Sequence, residues 1–130
     1  MITARYHREI PQRYRLEAGK CSKCGYLAFP PRLICPECRN RNFKKITLKD
    51  EGRIVTYTVI RVGPDKFSKE TPYAVGIIEL SGKLRLTAQI ADVTDFEKLK
   101  IGLKVKIVFR KIQDDGRSGI HMYGYKAVLI

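Results

Sequence analysis

Four cysteines constrain this chain more than any other feature. Cys21-Ser22-Lys23-Cys24 and Cys35-Pro36-Glu37-Cys38 form two C-x2-C pairs separated by ten residues, and the sequence holds no other cysteine. Two residues between each pair let a tight knuckle aim both sulfurs, and the amides beside them, at one ion. Four thiolates then complete a tetrahedron closed to water, the arrangement of a structural zinc site. The intervening loop is shorter than the roughly 15–20 residues of the generic pattern, yet it leaves room for a hairpin. Disulfides are disfavoured because the opening MITARYHREIPQRYRLE lacks an apolar signal segment, which also predicts a cytoplasmic protein. A redox C-x2-C is expected once, beside a βαβ pattern, and neither condition holds. Zinc is favoured over iron, which four thiolates also accept, because no redox partner site is visible. The metal is expected to act as a staple whose binding is part of folding.

The rest of the chain divides around that module. A length of 130 residues suits one ordinary domain or two very small ones, and 44% hydrophobic residues is too many for a disordered chain. No apolar run approaches the ~20 residues that cross a bilayer, so no membrane partner is expected. In residues 1–18, Tyr6, Ile10 and Tyr14 repeat at a helical spacing of four, with Pro11 between them. Proline lacks an N–H and clashes with the preceding turn, so the spacing predicts two short helical pieces with Pro11 near the start of the second. Such an arm is too short for its own core and should dock on the rest of the chain or on a partner. From residue 43 onward the chain reads as strands. Val105, Ile107 and Phe109 alternate with Lys104, Lys106 and Arg110, and Leu84–Ile90 alternates likewise. The runs Ile54–Ile60, Tyr73–Leu80 and Tyr123–Ile130 are rich in β-branched and aromatic residues. Gly63-Pro64-Asp65, Ser81-Gly82 and Asp114-Asp115-Gly116 are turn sequences. Asp92–Lys100 suits a short helix capped by Thr94 or Asp95 and stopped before Gly102. The expected fold is mainly β: an N-terminal helical arm over residues 1–18, a zinc ribbon over 19–42 and a five-stranded OB-type barrel over 43–130.

Charge is distributed unevenly over these parts. The chain carries 26 Lys and Arg against 13 Asp and Glu, a formal +13. Residues 1–49 hold 12 of those cations and 3 of the acids, whereas residues 50–130 hold 14 and 10. An anionic partner is expected at the N-terminal side, be it a nucleic acid, a phosphorylated cofactor or an acidic protein surface. Nothing points to catalysis. His7 and His121 lie in no metal or nucleophile motif, the sequence has no nucleophile elbow or Walker loop, and all four cysteines are committed to the metal. A non-enzyme is expected.

The order of parts is itself informative. A basic arm precedes C-x2-C-G, a Phe29-Pro30-Pro31-Arg32 loop and Cys35-Pro36-x-Cys38. Then follow Glu51-Gly52-Arg53-Ile54-Val55-Thr56-Tyr57-Thr58, Thr71-Pro72-Tyr73-Ala74-Val75-Gly76 and Ile101-Gly102. Over nearly its whole length the chain resembles the domain of unknown function 35 family, acyl-CoA-associated proteins with a rubredoxin-like zinc ribbon joined to an OB-fold. The resemblance is strongest to small stand-alone archaeal members. It implies a non-catalytic scaffold bridging acetoacetyl-CoA thiolase and hydroxymethylglutaryl-CoA (HMG-CoA) synthase in the mevalonate pathway. Coupling the two would let the synthase draw an unfavourable condensation forward. Arg39 departs from the pattern, because rubredoxin-like knuckles usually have Gly there.

Coenzyme A, a ligand that such partners would share, carries a 3′-phosphate and a diphosphate that Arg and Lys attract. Arg13, Arg15, Lys20, Lys23, Arg32, Arg39 and Arg41 are the candidates, either for those phosphates or for an acidic patch on a partner enzyme. Phe29 is either presented by the stiff Pro30-Pro31 loop or packed under the ribbon. Tyr57, Tyr73, Tyr123 and Tyr125 either line a barrel surface or join its core. The competing function is nucleic-acid binding, since OB barrels and zinc ribbons both serve it. The barrel's near balance of charge weighs against it.

Overall fold

The alternation seen after residue 50 is the signature of strands with one face inside, and in a computed structural model those strands close on themselves. The structure describes residues 3–80, 84–114 and 121–130, apart from the side chains of Thr3, Tyr6, Lys66 and Asp114. Five strands make the barrel: β4 (Glu51–Ile60), β5 (Tyr73–Glu79), β6 (Arg85–Ala91), β7 (Lys104–Asp114) and β8 (His121–Leu129), in the order β4-β5-β6-β8-β7. All neighbours are antiparallel except β6 and β8, where Ile90 and Ala91 pair in parallel with Ala127 and Val128. Closure depends on β4. Its first residues, Glu51–Arg53, pair with β7, and from Arg53 onward it pairs with β5. A register shift between Ile54 and Thr56 bends the strand between its two partners. Gly52 sits where this crossing is tightest: a Cβ there would lie 2.6 Å from the Glu79 carbonyl oxygen.

Ile54, Ile78 and Val105 are buried at the centre of the barrel, each worth about 1.5–3 kcal/mol relative to an exposed side chain. The Tyr57 hydroxyl donates to the Leu99 carbonyl (2.8 Å), pinning the connector between β6 and β7 to β4. That connector is shorter than the helix expected over 92–100. It is a single 3-10 turn, Phe96–Lys98, with the Asp95 carboxylate accepting from the Glu97 amide (3.1 Å). Leu99, buried beneath the barrel wall, ends it. Gly102 adopts φ +92°, a left-handed conformation that suits glycine, as its amide returns to the Ile54 carbonyl. A second 3-10 helix, Asp65–Glu70, follows the Gly63-Pro64 turn. Ser81, Gly82, Asp115 and Gly116 of the other two expected turns lie outside the described residues.

The cysteine module is a three-stranded antiparallel sheet in the order β2-β1-β3, from β1 (Glu17–Cys21), β2 (Leu27–Ala28) and β3 (Phe43–Thr47). The sheet therefore extends beyond residues 19–42 on both sides. Leu16, Ala18 and Leu48 belong to the same buried cluster as the barrel core, with Phe29 and Ile46 packed against it.

The arm corrects one expectation. It is a single helix, α1 (Thr3–Arg15), running through Pro11, rather than two pieces. Proline removes the bond to the carbonyl four residues earlier, that of His7, and both residues are exposed, so water can satisfy it. The helix docks on the barrel: the Tyr14 ring meets Phe109 edge-on at 5.3 Å, and Phe109 in turn stacks on Tyr123 at 5.6 Å. Arg13 and Arg15 in its last turn complement the helix dipole. Phe29 lies half-buried beside Tyr125, and Tyr73 beside Phe67, so these aromatics bridge elements between core and surface.

Candidate metal centre and its cationic surroundings

The two C-x2-C segments fold alike. In the first, the Cys21 amide donates to the Tyr26 carbonyl (2.8 Å) and the Gly25 amide returns to the Cys21 carbonyl (3.0 Å). In the second, the Cys35 amide donates to Asn40 (2.9 Å) and the Arg39 amide returns to Cys35 (2.9 Å). Gly25 and Arg39 are thus counterparts, and both are left-handed, at φ +78° and +62°. Arg39 keeps the knuckle geometry that glycine usually provides, at a cost of about 1–2 kcal/mol for a side chain in that conformation.

All four sulfurs lie within 4.8 Å of one another, with Cys21–Cys38 at 3.4 Å and Cys24–Cys35 at 3.5 Å. A tetrahedron with metal–sulfur bonds of ~2.3 Å has edges of about 3.8 Å, so the donor set fits one zinc ion with little adjustment. The amides beside the sulfurs favour thiolate. The Cys24 amide, helped by that of Lys23, outweighs burial and lowers the Cys21 thiol to about 6. Burial opposes ionisation of Cys35, but the amides of Cys38 and Glu37 and the neighbouring thiols bring it below the usual thiol range. At Cys24 the Tyr26 amide favours thiolate, yet desolvation and the three other cysteines overcome it and push the thiol up to about 12. Four sulfurs this close ionise together only around a cation. Asn40, which sequence reasoning did not single out, donates from Nδ2 to Cys21 Sγ (3.7 Å) and Ser22 Oγ (3.1 Å). Its place as the counterpart of Tyr26 in the repeated knuckle is the signal that could have found it. With four protein sulfurs as ligands, a metal here leaves no position for water or substrate, and its contribution is to the fold.

The seven cationic candidates separate into three groups. Lys20 and Arg32 line a groove of about 900 Å³ between ribbon and barrel, joined there by Lys49 and Arg85 around Tyr26 and Phe29. Among the described residues no carboxylate lines that groove, although Arg85 is already paired with Glu79 (3.1 Å). Arg13 and Arg15 line a separate cleft of about 590 Å³ under α1, which also contains Glu17. Glu17 is buried and pairs with Lys45 (3.1 Å) and Arg15 (3.3 Å), so Arg15 ties the arm to the ribbon sheet. The hydrogen bond from Lys45 is the main reason that the Glu17 carboxyl lies below the usual range. Lys23, Arg39 and Arg41 line neither cleft and stand exposed on the cysteine knuckles. His7 and His121 are both exposed, one on α1 and one opening β8.

Comparison with known proteins agrees with this architecture. Residues 8–44 match the family model described as the rubredoxin-like zinc ribbon domain of ChsH2, and residues 45–110 match that of the ChsH2 C-terminal OB-fold domain. A DUF35 domain-containing scaffold protein of Methanothermobacter thermautotrophicus is 43% identical over 95% of this chain and 93% of its own. The benzoylsuccinyl-CoA thiolase subunit BbsA of Thauera aromatica is 28% identical, over 85% of this chain and 74% of its own. Among solved structures, the Ltp2-ChsH2(DUF35) aldolase superimposes with a TM-score of 0.72 at 25% identity, covering 97% of this chain and 92% of the other. With the four-cysteine ribbon, the closed barrel and near full-length similarity to a DUF35 scaffold protein, the chain belongs to the DUF35 family.

Proposed function

We propose that this protein is a non-catalytic scaffold subunit holding acetoacetyl-CoA thiolase and HMG-CoA synthase together, so that the synthase consumes acetoacetyl-CoA as the thiolase forms it. The observation that carries this reading is similarity over nearly the full length of both chains to a DUF35 scaffold protein. Relatives named as a thiolase subunit and as part of an aldolase support this reading, since both are enzymes of carbon–carbon bond chemistry. The architecture suits a subunit that binds and does not react, since its cysteines complete a closed metal site. Lys20 and Arg32, in a groove without carboxylates, are the residues that would meet the phosphates of coenzyme A in such an assembly.

Purification from the source cell after nuclease treatment tests the reading. Thiolase and synthase are expected to co-purify with the chain in a fixed ratio. Association that disappears with nuclease, or salt-sensitive binding to single strands in place of the enzymes, would assign the basic lobe to nucleic acid instead.

A further inference from the structure

The most exposed apolar side chains of the ribbon are adjacent. Leu33 is 87% exposed and Ile34 48%, and the next residue, the metal ligand Cys35, is 0% exposed. The chain thus passes from solvent to the interior within two residues. An isolated surface leucine needs no explanation, but this pair is held out by a stiff support. Pro30 and Pro31 precede it, Pro36 follows Cys35, and the Cys35 amide is fixed to Asn40. Side chains on such a support lose little freedom when they are covered.

The charge of the ribbon that carries the pair says what covers it. Between residues 18 and 49 Glu37 is the only acid, against eight Lys and Arg. Lys23, Arg39 and Arg41 are exposed on the same metal lobe, and among the described residues none of them forms an ion pair. Unpaired cations on the cysteine knuckles, in the same lobe as an exposed apolar pair, match a protein surface with an apolar pocket and an acidic rim. Single-stranded nucleic acid is gripped by aromatic rings on which bases stack, whereas Leu33 and Ile34 are aliphatic.

We propose that Leu33 and Ile34 form the apolar anchor by which the ribbon docks into an acidic-rimmed pocket of one partner enzyme, with Lys23, Arg39 and Arg41 as its cationic rim. The proposal rests on the scaffold reading and assigns that role to one end of the molecule, leaving the second enzyme to another surface.

The test measures binding of the zinc-loaded full chain separately to purified acetoacetyl-CoA thiolase and HMG-CoA synthase. The variants are L33E/I34E and R41E, with metal content and melting temperature confirming their fold. L33E/I34E is expected to lose about 100-fold or more in affinity for one enzyme and to keep its affinity for the other. R41E is expected to lose about tenfold for the same enzyme, with a shallower salt dependence. If both enzymes bind L33E/I34E as tightly as the wild type, the anchor is overturned and the scaffold reading stands. If the wild type binds neither enzyme, the scaffold reading falls and the anchor with it. Single-stranded DNA or anionic vesicles that bind the wild type in place of the enzymes, and lose it in L33E/I34E, would overturn the proposal in favour of another occupant.

Discussion

The ribbon and the barrel hide different things. The side chains buried most completely between residues 17 and 47 are Ala18, Cys21, Ala28 and Cys35, two alanines and two cysteines of the cluster. In the barrel they are Ala74, Ile78, Val105, Met122 and Ala127, with Ile54 and Ile90 close behind, so bulky aliphatic side chains dominate the buried volume. One lobe is organised by bonds to an ion and the other by apolar volume removed from water. A short segment that must present charge cannot also be rich in aliphatic residues, and four sulfurs replace the core it lacks. The barrel has the residues to hold itself, which lets the ribbon keep more than half of its residues exposed.

This contrast breaks most visibly with the metal. Chelation, or Cys35→Ser, is expected to abolish amide-exchange protection over residues 17–47, since a structural zinc ion supplies on the order of 10 kcal/mol to the segment it organises. Amides of Ile54, Ile78 and Val105 should stay protected. Simultaneous loss in both lobes would mean that the cluster shared by Leu16, Ala18 and Leu48 fuses them into one folding unit. The converse change is Ile78→Ala, which should destabilise the barrel by about 2–5 kcal/mol in denaturant titrations and leave zinc affinity near its original value. A fall in zinc affinity would again show the lobes to be coupled. The smallest effect concerns Glu17, which joins arm to ribbon. Its folded carboxyl titrates below the ordinary value of 4.5, so its contribution is complete above that value and is lost as pH falls through the folded one. Wild type should therefore lose more stability than Glu17→Gln as pH falls below about 4.5. Acid also releases the metal, but it does so in both proteins, so the difference between them reports the carboxylate. Equal losses would show that Arg15 and Lys45, both largely exposed, leave the pair screened.

The sequence announced the strands because alternation is a local property, and the observed β5, β6 and β7 begin within about a residue of where the pattern does. It marked the four cysteines that the fold gathers because their spacing is local too. Partners were hidden. Nothing in the run from His121 to Leu129 says that it lies parallel to β6, and nothing in Glu51–Ile60 says that one strand serves two neighbours through a bend. Pro11 misled because the cost of a proline falls on a carbonyl that, here, faces water. Glu17 looked like one acid among cations, and only the fold buries it between Arg15 and Lys45. The cationic candidates looked continuous in sequence, whereas the fold brings Lys20 of β1 and Arg32 of the loop after β2 to the groove and leaves Lys23, Arg39 and Arg41 outside it.

Pairing all the way round the barrel has a consequence for how this molecule changes over time. In a closed ring every strand has a neighbour on each side, so no barrel strand offers its whole length as a free edge, although the β4–β7 and β6–β8 pairings are only three and two residues long. The three-stranded sheet keeps two outer edges, but one is the two-residue β2 and the other is β3, which carries Lys44 and Lys45. Recognition falls chiefly on side chains standing on a fixed frame. A frame of that kind can be directed at a different enzyme by replacing surface residues one at a time, with no strand moved and no ligand sulfur exchanged.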